Sequence, residues 1–340
     1  MRSIPLRGVS THLSLKLTFC VFLMSTLTGC FYRTDITYPF VGCDYRNDNV
    51  YNDSPSVEQY SYARWICYDE GRELRILESN NIPNHPVEHY HSVGSWATEM
   101  EEHHVEVYLP YYPDLSEEVT PKGGIHGALG YALNGVKIDP GSGGSCSNGP
   151  DNVCTLHHSE HEWTVETLGQ TFFNYQIDEN NGHIQYDGTY HYHGIPKTLV
   201  EDVKMRRPPV LRTRMGLFGW AMDGFPIYSQ YDSKFEHTVL GGYRKMKSSY
   251  QLVDPVSESR PSVDIYPLGT FKEDYEYVEG SGDLDECNGR FSATESHTKM
   301  KYHYIATKEY PYVPRCVKGY LDFPIDAPQP PANIEPPKHR

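Results

Sequence analysis

Several features common in enzymes and in nucleic-acid-binding proteins are missing from this sequence. Its 340 residues carry 30 Lys and Arg against 45 Asp and Glu, a formal net charge of −15. Because an acidic chain repels the phosphates of DNA and RNA, we expect no nucleic-acid partner. The sequence has no Gly-x-Ser-x-Gly nucleophile motif and no glycine-rich loop that ends in Lys-Ser or Lys-Thr. These absences argue against a serine nucleophile of that type and against a phosphate-binding loop.

Long apolar runs are also missing. Leu17–Leu27 follows the basic residues Arg2, Arg7 and Lys16, and it is too short to span a bilayer, which takes about 20 apolar residues. A basic start followed by a short apolar run is typical of a signal peptide, and we predict one over residues 1–29. No other stretch has the length and apolar character of a membrane span.

The predicted signal peptide ends in Leu27-Thr28-Gly29-Cys30, which resembles the processing box of bacterial lipoproteins. The resemblance implies cleavage before Cys30 and a lipid on that cysteine, so the first expected partner is a membrane. Phe31 rather than Asp follows Cys30, and by resemblance to enteric lipoproteins this favours the outer membrane. We therefore expect an exported, lipid-anchored protein that faces the periplasm or the cell exterior. The alternative is an ordinary secretory signal peptide.

Cys-x-x-Cys pairs are absent as well, which argues against a thiolate metal site. Of the eight cysteines, Cys20 belongs to the leader and Cys30 to the lipid anchor, so an even number remains. An even number in an oxidising compartment indicates disulfides, although many connectivities are possible. We predict pairing between sequence neighbours: Cys43–Cys67, Cys146–Cys154 and Cys287–Cys316.

Tyrosine and glycine are abundant, with 28 residues of each. Aromatic residues favour strands and glycines favour turns, while long helical patterns are few. We predict a β-rich α+β fold, built as a single disulfide-stapled domain with long loops. The expected organisation after the leader is an anchor segment with a small disulfide module at 30–75, the main domain at 76–320 and a proline-rich tail at 321–340.

Local patterns predict individual elements of the main domain. Glu73–Ser79 and Val105–Pro110 are predicted strands, and the pattern of Tyr131–Ile138 predicts a strand, a turn and a second strand. His157–Phe173 carries a partial apolar stripe at helical spacing, which predicts a helix.

The tetrapeptide Tyr190-His191-Tyr192-His193 alternates two side-chain types with a period of two. In a strand this places both histidines on one face, about 6.5–7 Å apart at Cα, and both tyrosines on the other face. Upstream, His183-Ile184-Gln185 is a plausible partner strand, because Asp187-Gly188 is a strong turn signal. The stretch Asp178–Pro196 is therefore predicted to contain a β-hairpin that presents imidazoles.

The length of the hairpin loop decides which imidazoles meet. With a two-residue loop, Ile184 lies opposite His191 and His183 points to the far face. With the three-residue loop Tyr186-Asp187-Gly188, the glycine takes the left-handed conformation and His183 lies opposite His191. We favour the second register because it requires a glycine where the sequence has one.

These residues resemble the signature of the bacterial YHYH-domain family, which is named after the tetrapeptide. The sequence departs from the family pattern at two places. At Gly182-His183 the family more usually has Ala-His. At Lys301 the family more usually has a Gly-Thr-type sequence leading into the second Tyr-His-Tyr. The resemblance covers about Asn80–Gly319 and implies a domain of this family. The family has no settled activity, so the resemblance implies no reaction. The other matching blocks are Gly130–Val136, Gly219–Tyr228, Lys247–Tyr250, Glu273–Tyr277, Leu284–Arg290, Tyr302–Tyr304 and Pro311–Tyr312.

The leading functional hypothesis is a transition-metal site, a divalent or copper ion, with His191 and His193 as ligands. His183, Asp223 and His303 are the candidates to complete it, and the tyrosines would fix the orientation of the rings. Asp223 lies in the predicted turn Ala221–Pro226, called the Asp223 turn. The hypothesis requires Asp178–Pro196, the Asp223 turn and the Tyr302–Tyr304 strand to converge on one cleft. The competing interpretation is a buried hydrogen-bonded network in which every ring nitrogen is satisfied by the protein.

Two weaker metal candidates compete with an interpretation as ordinary surface residues. One is an acidic loop suited to calcium, although its spacing does not match a helix-loop-helix site, and solvated carboxylates are the simpler interpretation. Its members are Asp274, Asp283, Asp285, Glu286 and Asn288. The other is the group His157, His158 and His161, which lacks the second histidine of a zinc-protease helix and is expected to be solvated, as is His103-His104.

Two functions without a metal remain open. The aromatic, acidic surface suits a polysaccharide-binding, protein-binding or adhesion module. A hydrolase using the same polar cleft, with Asp223 and Asp285 as a carboxylate pair, is the second alternative. The sequence does not name a small-molecule, polysaccharide or protein partner.

Overall fold

The computed structural model describes residues 45–54, 57–68, 74–87, 99–122, 127–149, 153–156, 161–185, 187–206, 214–254, 256–295 and 300–321. The predicted signal peptide, Cys30, Cys43, His157, His158 and the tail from residue 322 onward lie outside these ranges.

Strands make up most of the regular structure, and one α-helix, α1 (Lys197–Met205), is found within the described ranges. No helix in that part of the chain has the length and apolar character needed to cross a membrane. The strand-rich structure agrees with the predicted β-rich α+β class. The strands are β1 (Arg46–Ser54), β2 (Val57–Tyr68), β3 (Leu74–Ser79), β4 (Val105–Pro110), β5 (Leu115–Pro121), β6 (Gly130–Ala132), β7 (Lys137–Ile138), β8 (Ser145–Cys146), β9 (Cys154–Thr155), β10 (Trp163–Thr164), β11 (Gly182–Ile184), β12 (Tyr190–Tyr192), β13 (Leu217–Ala221), β14 (Pro226–Tyr228), β15 (Tyr231–Phe235), β16 (Thr238–Lys245), β17 (Tyr250–Leu252), β18 (Tyr275–Tyr277), β19 (Gly289–Ser292), β20 (Lys301–Ile305) and β21 (Cys316–Gly319).

An eight-stranded sheet, in the order β11-β12-β7-β6-β13-β14-β20-β19, forms the centre of the fold. A four-stranded antiparallel sheet, β1-β2-β3-β4, precedes it in the chain. The main apolar cluster joins residues of both sheets and α1, and examples are Trp65, Leu77, Leu133, Leu199 and Ile227. Burial of these side chains is the main source of the stability that fixes the strand order.

The predicted strands at 73–79 and 105–110 are found as β3 and β4, and the predicted strand–turn–strand is found as β6 and β7. Gly135 in that turn has φ +80°, the left-handed conformation that glycine adopts at little cost. Short loops with a clear turn residue are therefore well predicted here.

Asn81 connects the two sheets next to the hairpin of interest. It is 1% exposed, its side-chain amide donates to the carbonyl of Tyr190 at 2.8 Å, and its Oδ1 accepts from the amide of Lys137 at 3.1 Å. One side chain thus binds the backbones of β12 and β7 together.

The predicted helix at His157–Phe173 is wrong over its described part. Residues 161–173 contain β10 and irregular backbone. Trp163 pairs with Cys146 in the sheet β10-β8-β9, and its ring meets Phe271 edge-on at 5.8 Å. Val165 forms a bridge to Phe271. These long-range contacts outweigh the weak helical pattern of the segment.

The helix that does form, α1, is not among the predicted elements. It begins directly after Pro196, and its buried residues Leu199 and Val203 are four positions apart, so they share one face. The amide of Thr198 donates to Oδ1 of Asn180, which ties the helix start to the loop before β11.

Two of the predicted disulfides are present. Cys146–Cys154 links β8 to β9, and Cys287–Cys316 links the segment before β19 to β21. The third predicted pair includes Cys43, which lies outside the described residues.

Replacing Gly130 by alanine tests the close packing of β6 against β13. A Cβ at this position overlaps the carbonyl oxygen of Trp220 and lies 2.7 Å from Cα of Ala221, two backbone atoms that belong to the paired strand. We expect Gly130→Ala to lower the free energy of unfolding by about 3 kcal/mol, the upper part of the usual cost of overpacking. Urea denaturation followed by circular dichroism measures the change.

Gly242→Ala is the matched control. Gly242 has φ +85°, and no atom lies within 4 Å of the position that a Cβ would take, so the substitution introduces only left-handed strain of about 1–2 kcal/mol. Equal losses in the two variants would contradict the packing of β6 on β13.

Candidate metal site

The β11–β12 hairpin has the three-residue loop favoured from the sequence. His183 lies opposite His191, and the amide of Gln185 donates to the carbonyl of Thr189 at 2.8 Å to close the loop. Gly188 has φ +81°, and its carbonyl accepts from the amide of Glu101 at 3.0 Å. The prediction that His183, His191 and His193 share one face depends on this register, and the register is confirmed.

The tyrosines of the tetrapeptide face the other way and are completely buried. The hydroxyl of Tyr190 donates to Oδ2 of Asp178 at 2.6 Å. The hydroxyl of Tyr192 lies 2.6 Å from Nε2 of His85 and accepts from the amide of Asn134 at 2.9 Å. The tyrosines of the tetrapeptide therefore anchor the strand in the core, and they influence the orientation of the histidine rings through the strand backbone.

The three imidazoles of the opposite face form a compact cluster. Ring centroids are separated by 4.6 Å between His183 and His191, 5.0 Å between His183 and His193, and 4.5 Å between His191 and His193. One ring nitrogen from each residue lies within 4.8 Å of the other two. Within the described ranges, this is the one group of His, Cys, Asp or Glu placed closely enough to hold a metal ion.

Burial keeps these histidines neutral. His191 and His193 are only 2% and 3% exposed, and desolvation, with the neighbouring rings and Lys137, holds the pKa of His191 well below its usual value. Desolvation likewise lowers the pKa of His193 strongly, with His183 and Arg315 contributing. For His183, burial lowers the pKa to about 4. Neutral imidazole is the form that binds transition metals.

Two ring nitrogens in the cluster have no partner among the described residues. Nδ1 of His191 and Nδ1 of His193 are buried and make no hydrogen bond to any described residue. His85 is different, because its Nδ1 lies 2.9 Å from the carbonyl of Pro86 and its Nε2 meets Tyr192. His303 is satisfied too, with Nδ1 3.0 Å from the carbonyl of Lys301. The fully satisfied network thus describes His85 and His303 but not the cluster.

The structure does not bring Asp223 and His303 to the cluster. Two strands, β7 and β6, lie between β12 and β13, where the Asp223 turn begins. β20, which carries His303, is five positions from β12, or about 24 Å along the sheet at about 4.8 Å per strand. The predicted convergence of the hairpin, the Asp223 turn and the Tyr302–Tyr304 strand is therefore corrected by the strand order.

Asp223 and His303 belong to separate buried networks. Oδ2 of Asp223 accepts from the Tyr304 hydroxyl at 2.5 Å and from the Gly319 amide at 2.8 Å, while burial raises the pKa of this carboxyl. Nε2 of His303 lies 3.3 Å from Oδ2 of Asp232. Asp223 has no exposed surface, so its carboxylate is not accessible in the folded chain to form an open pair with Asp285.

The acidic loop considered for calcium is neutralised by protein groups. Asp274 forms a buried ion pair with Arg260 at 2.5 Å, and Asp283 is held by Arg244 at 2.7 Å. Lys318 lies 3.3 Å from Asp285 and 2.9 Å from Glu286. Asn288 donates its side-chain amide to the carbonyl of Ile305. These contacts support the simpler interpretation of the loop as structural.

A cavity of about 210 Å³ lies against the cluster, and all three histidines line it. Its other walls come from distant parts of the chain, including Gly141, Ser142, Thr167, Asn174 and Tyr175. Sequence reasoning identified the histidines but not these residues. No local pattern marks them, since they reach the site only through tertiary packing. Asp139, which pairs with Lys137 at 3.3 Å beside the cluster, was missed for the same reason.

Comparison with known proteins identifies the family but not a characterised relative. A protein-family model described as YHYH protein matches residues 106–319, which is more than half of the chain and includes all three histidines. No curated protein and no solved structure gives a significant match.

The lowered pKa values predict how stability depends on pH when metal is absent. Below about pH 6.5 the histidines of the unfolded chain take up protons, whereas the buried rings of the folded chain remain neutral. Protonation therefore favours the unfolded chain, and stability is lost as the pH falls. Between pH 6.5 and 5 we expect the free energy of unfolding to decrease by up to about 1.4 kcal/mol per pH unit for each of the three histidines. Urea denaturation in EDTA at several pH values measures the slope.

His191→Asn removes one buried titrating ring and should reduce this slope, while His237→Asn at an exposed position is the matched control. A slope that is the same in the wild type and in His191→Asn would contradict the prediction.

Proposed function

The chain belongs to the YHYH protein family, and we propose that it binds a transition-metal ion through His183, His191 and His193. The observation that carries the proposal is the set of three ring nitrogens within 4.8 Å of one another at the end of one hairpin. Nε2 of His183 and Nε2 of His193 are 3.1 Å apart. Two nitrogen ligands about 2.0–2.1 Å from one tetrahedral ion are separated by about 3.3 Å, so the pair has nearly the spacing of ligands to a shared ion.

The energetics of burial support the same proposal. A buried polar atom without a partner costs about 1–3 kcal/mol, and the cluster contains two such atoms within the described structure. Packing three imidazoles together also keeps them from becoming charged, which makes them available as ligands. An ion coordinated by Nδ1 of His191 repays part of this cost, whereas Nδ1 of His193 stays unpartnered when that ring binds through Nε2.

The donor set favours copper, nickel or zinc over calcium and magnesium. Imidazole nitrogen suits the later first-row metals, whereas calcium and magnesium prefer oxygen ligands. Affinity at a given nitrogen site rises toward Cu²⁺ and is lower for Zn²⁺, so copper is the leading candidate.

Metal binding is tested on protein purified without a histidine tag and stripped with chelator. We expect the wild type to take up one Cu²⁺ or Zn²⁺ ion per chain, measured by elemental analysis and isothermal titration calorimetry. The double variant His191→Asn, His193→Asn should bind at least about 100-fold more weakly, because losing a ligand costs at least as much as losing its supporting group. Circular dichroism establishes whether the double variant is folded.

His237→Asn removes an exposed imidazole and is the matched control, which should bind like the wild type. If the wild type and the folded double variant take up equal amounts of metal, the proposal is wrong. If the wild type takes up none and the double variant fails to fold, the histidines are a structural network.

We also propose that the site operates outside the cytoplasm on a lipid-anchored chain. Disulfides such as Cys146–Cys154 and Cys287–Cys316 persist in oxidising compartments, which supports export. The sequence Leu27-Thr28-Gly29-Cys30 supports a lipid on Cys30. The disulfides and the sequence around Cys30 thus agree with an exported, lipid-anchored protein.

The lipid anchor is tested by expressing the full chain in a bacterial host with radiolabelled palmitate. We expect the wild type to incorporate label and to partition into the detergent phase, and Cys30→Ser to do neither. An unlabelled, secreted wild type would instead indicate an ordinary signal peptide.

A further inference from the structure

Three histidines are the metal ligands that the described part of the protein provides. Within the described ranges, no carboxylate or cysteine joins the three histidines as a fourth ligand. Closed structural zinc sites have four protein ligands, whereas sites with three protein ligands keep a coordination position for water or substrate. As far as the described residues go, an ion held by His183, His191 and His193 therefore has a position left for an exogenous ligand.

The space for that ligand is present. The cavity beside the histidines has a volume of about 210 Å³. An apolar protein cavity of about 150 Å³ accommodates benzene, so this one has room for a molecule of roughly that size in addition to water. Asn174, an exposed residue, lies on its rim, which gives the cavity a way in from the surface.

The charge of the lining decides the class of ligand. None of the described residues that line the cavity is Asp, Glu, Lys or Arg. The polar side chains, among them Ser142, Thr167 and Tyr175, are neutral. Of the described charged groups that act on the histidines, Lys137 is paired with Asp139 at 3.3 Å and Arg315 with Glu166 at 2.7 Å. A metal cation held by neutral histidines thus keeps its charge uncompensated, and a buried charge is stabilised by an opposite one.

The wall facing the histidines is held in place by hydrogen bonds. Oγ of Ser142 lies 2.9 Å from the Tyr175 hydroxyl, and Oδ1 of Asp139 accepts from the Gly141 amide at 3.0 Å. Arg315 donates to the carbonyl of Pro140. The Thr167 hydroxyl is buried and has no partner among the described residues. The cavity is thus preformed, which lowers the entropic cost of binding.

We propose that this cavity binds a small organic anion, a monocarboxylate of up to about the size of benzoate, through the open coordination position of the ion. The proposal rests on the metal-binding function proposed above. On this proposal the metal binds an exogenous ligand, whereas the metal of a closed structural site is coordinated only by protein groups.

The test uses the full-length protein loaded with Co²⁺, whose visible absorption reports the number and type of its ligands. Benzoate and acetate are titrated into the loaded protein, and benzamide serves as the neutral probe of similar shape. We expect a saturable spectral change with both carboxylates and none with benzamide at the same concentrations.

Two variants connect the response to the cavity. Leu156→Trp fills the lining and Asn174→Trp obstructs the rim, and each should weaken benzoate binding by about tenfold or more while cobalt binding changes little. Thr171→Trp, at an exposed position outside the lining, is the control. Two variants are used so that misfolding of one does not leave the result open.

The outcomes separate the two proposals. If the wild type binds neither Co²⁺ nor the Cu²⁺ or Zn²⁺ of the uptake test above, the metal site itself is wrong. If it binds Cu²⁺ but not Co²⁺, the same titrations are followed by the absorption of the Cu²⁺-loaded protein. If Co²⁺ binds and no carboxylate changes its spectrum, the metal site stands and the inference is overturned. A response to benzamide equal to that with benzoate overturns the assignment to anions.

Discussion

The candidate site depends on the register of the β11–β12 hairpin. Side chains alternate between the two faces of a strand, so a slip of one residue would move His183 to the face occupied by the tyrosines. The three-residue loop and the left-handed Gly188 fix the register on the histidine side. The buried hydroxyls of Tyr190 and Tyr192 fix it on the other side, since each has a partner placed for one register only. The tyrosines thus determine the site by holding the strand.

The same alternation occurs twice in the chain with different results. In β20, Tyr302-His303-Tyr304 also places a histidine opposite two tyrosines, but His303 is fully buried against Asp232 and lies in a strand near the other end of the sheet. Its ring nitrogens are satisfied by neighbouring groups. Histidine alternation therefore indicates a strand, while the packing around the strand decides whether the ring is available to a ligand.

Local sequence information predicted the local parts of the structure. The hairpin register followed from a turn residue, and the pairings Cys146–Cys154 and Cys287–Cys316 followed from sequence proximity. The strand order could not be predicted in this way, because it is determined by the burial of apolar faces that are far apart in sequence. For this reason Asp223 and His303, which a predicted turn and a predicted strand offered as ligands, are distant from the cluster. The helix predicted for the segment containing Trp163 was wrong for a similar reason, because long-range contacts outweighed a weak helical pattern.

The chemistry of the donors also explains how such a site discriminates among cations in an acidic protein. A chain with a net charge of −15 attracts cations of every kind through its surface carboxylates, and these favour calcium and magnesium. The cluster contains no carboxylate, so it adds no general attraction for positive charge. Whatever preference it has comes from the affinity of imidazole nitrogen for the later transition metals. Burial strengthens this preference, because a hard cation would lose its water without gaining oxygen ligands in return.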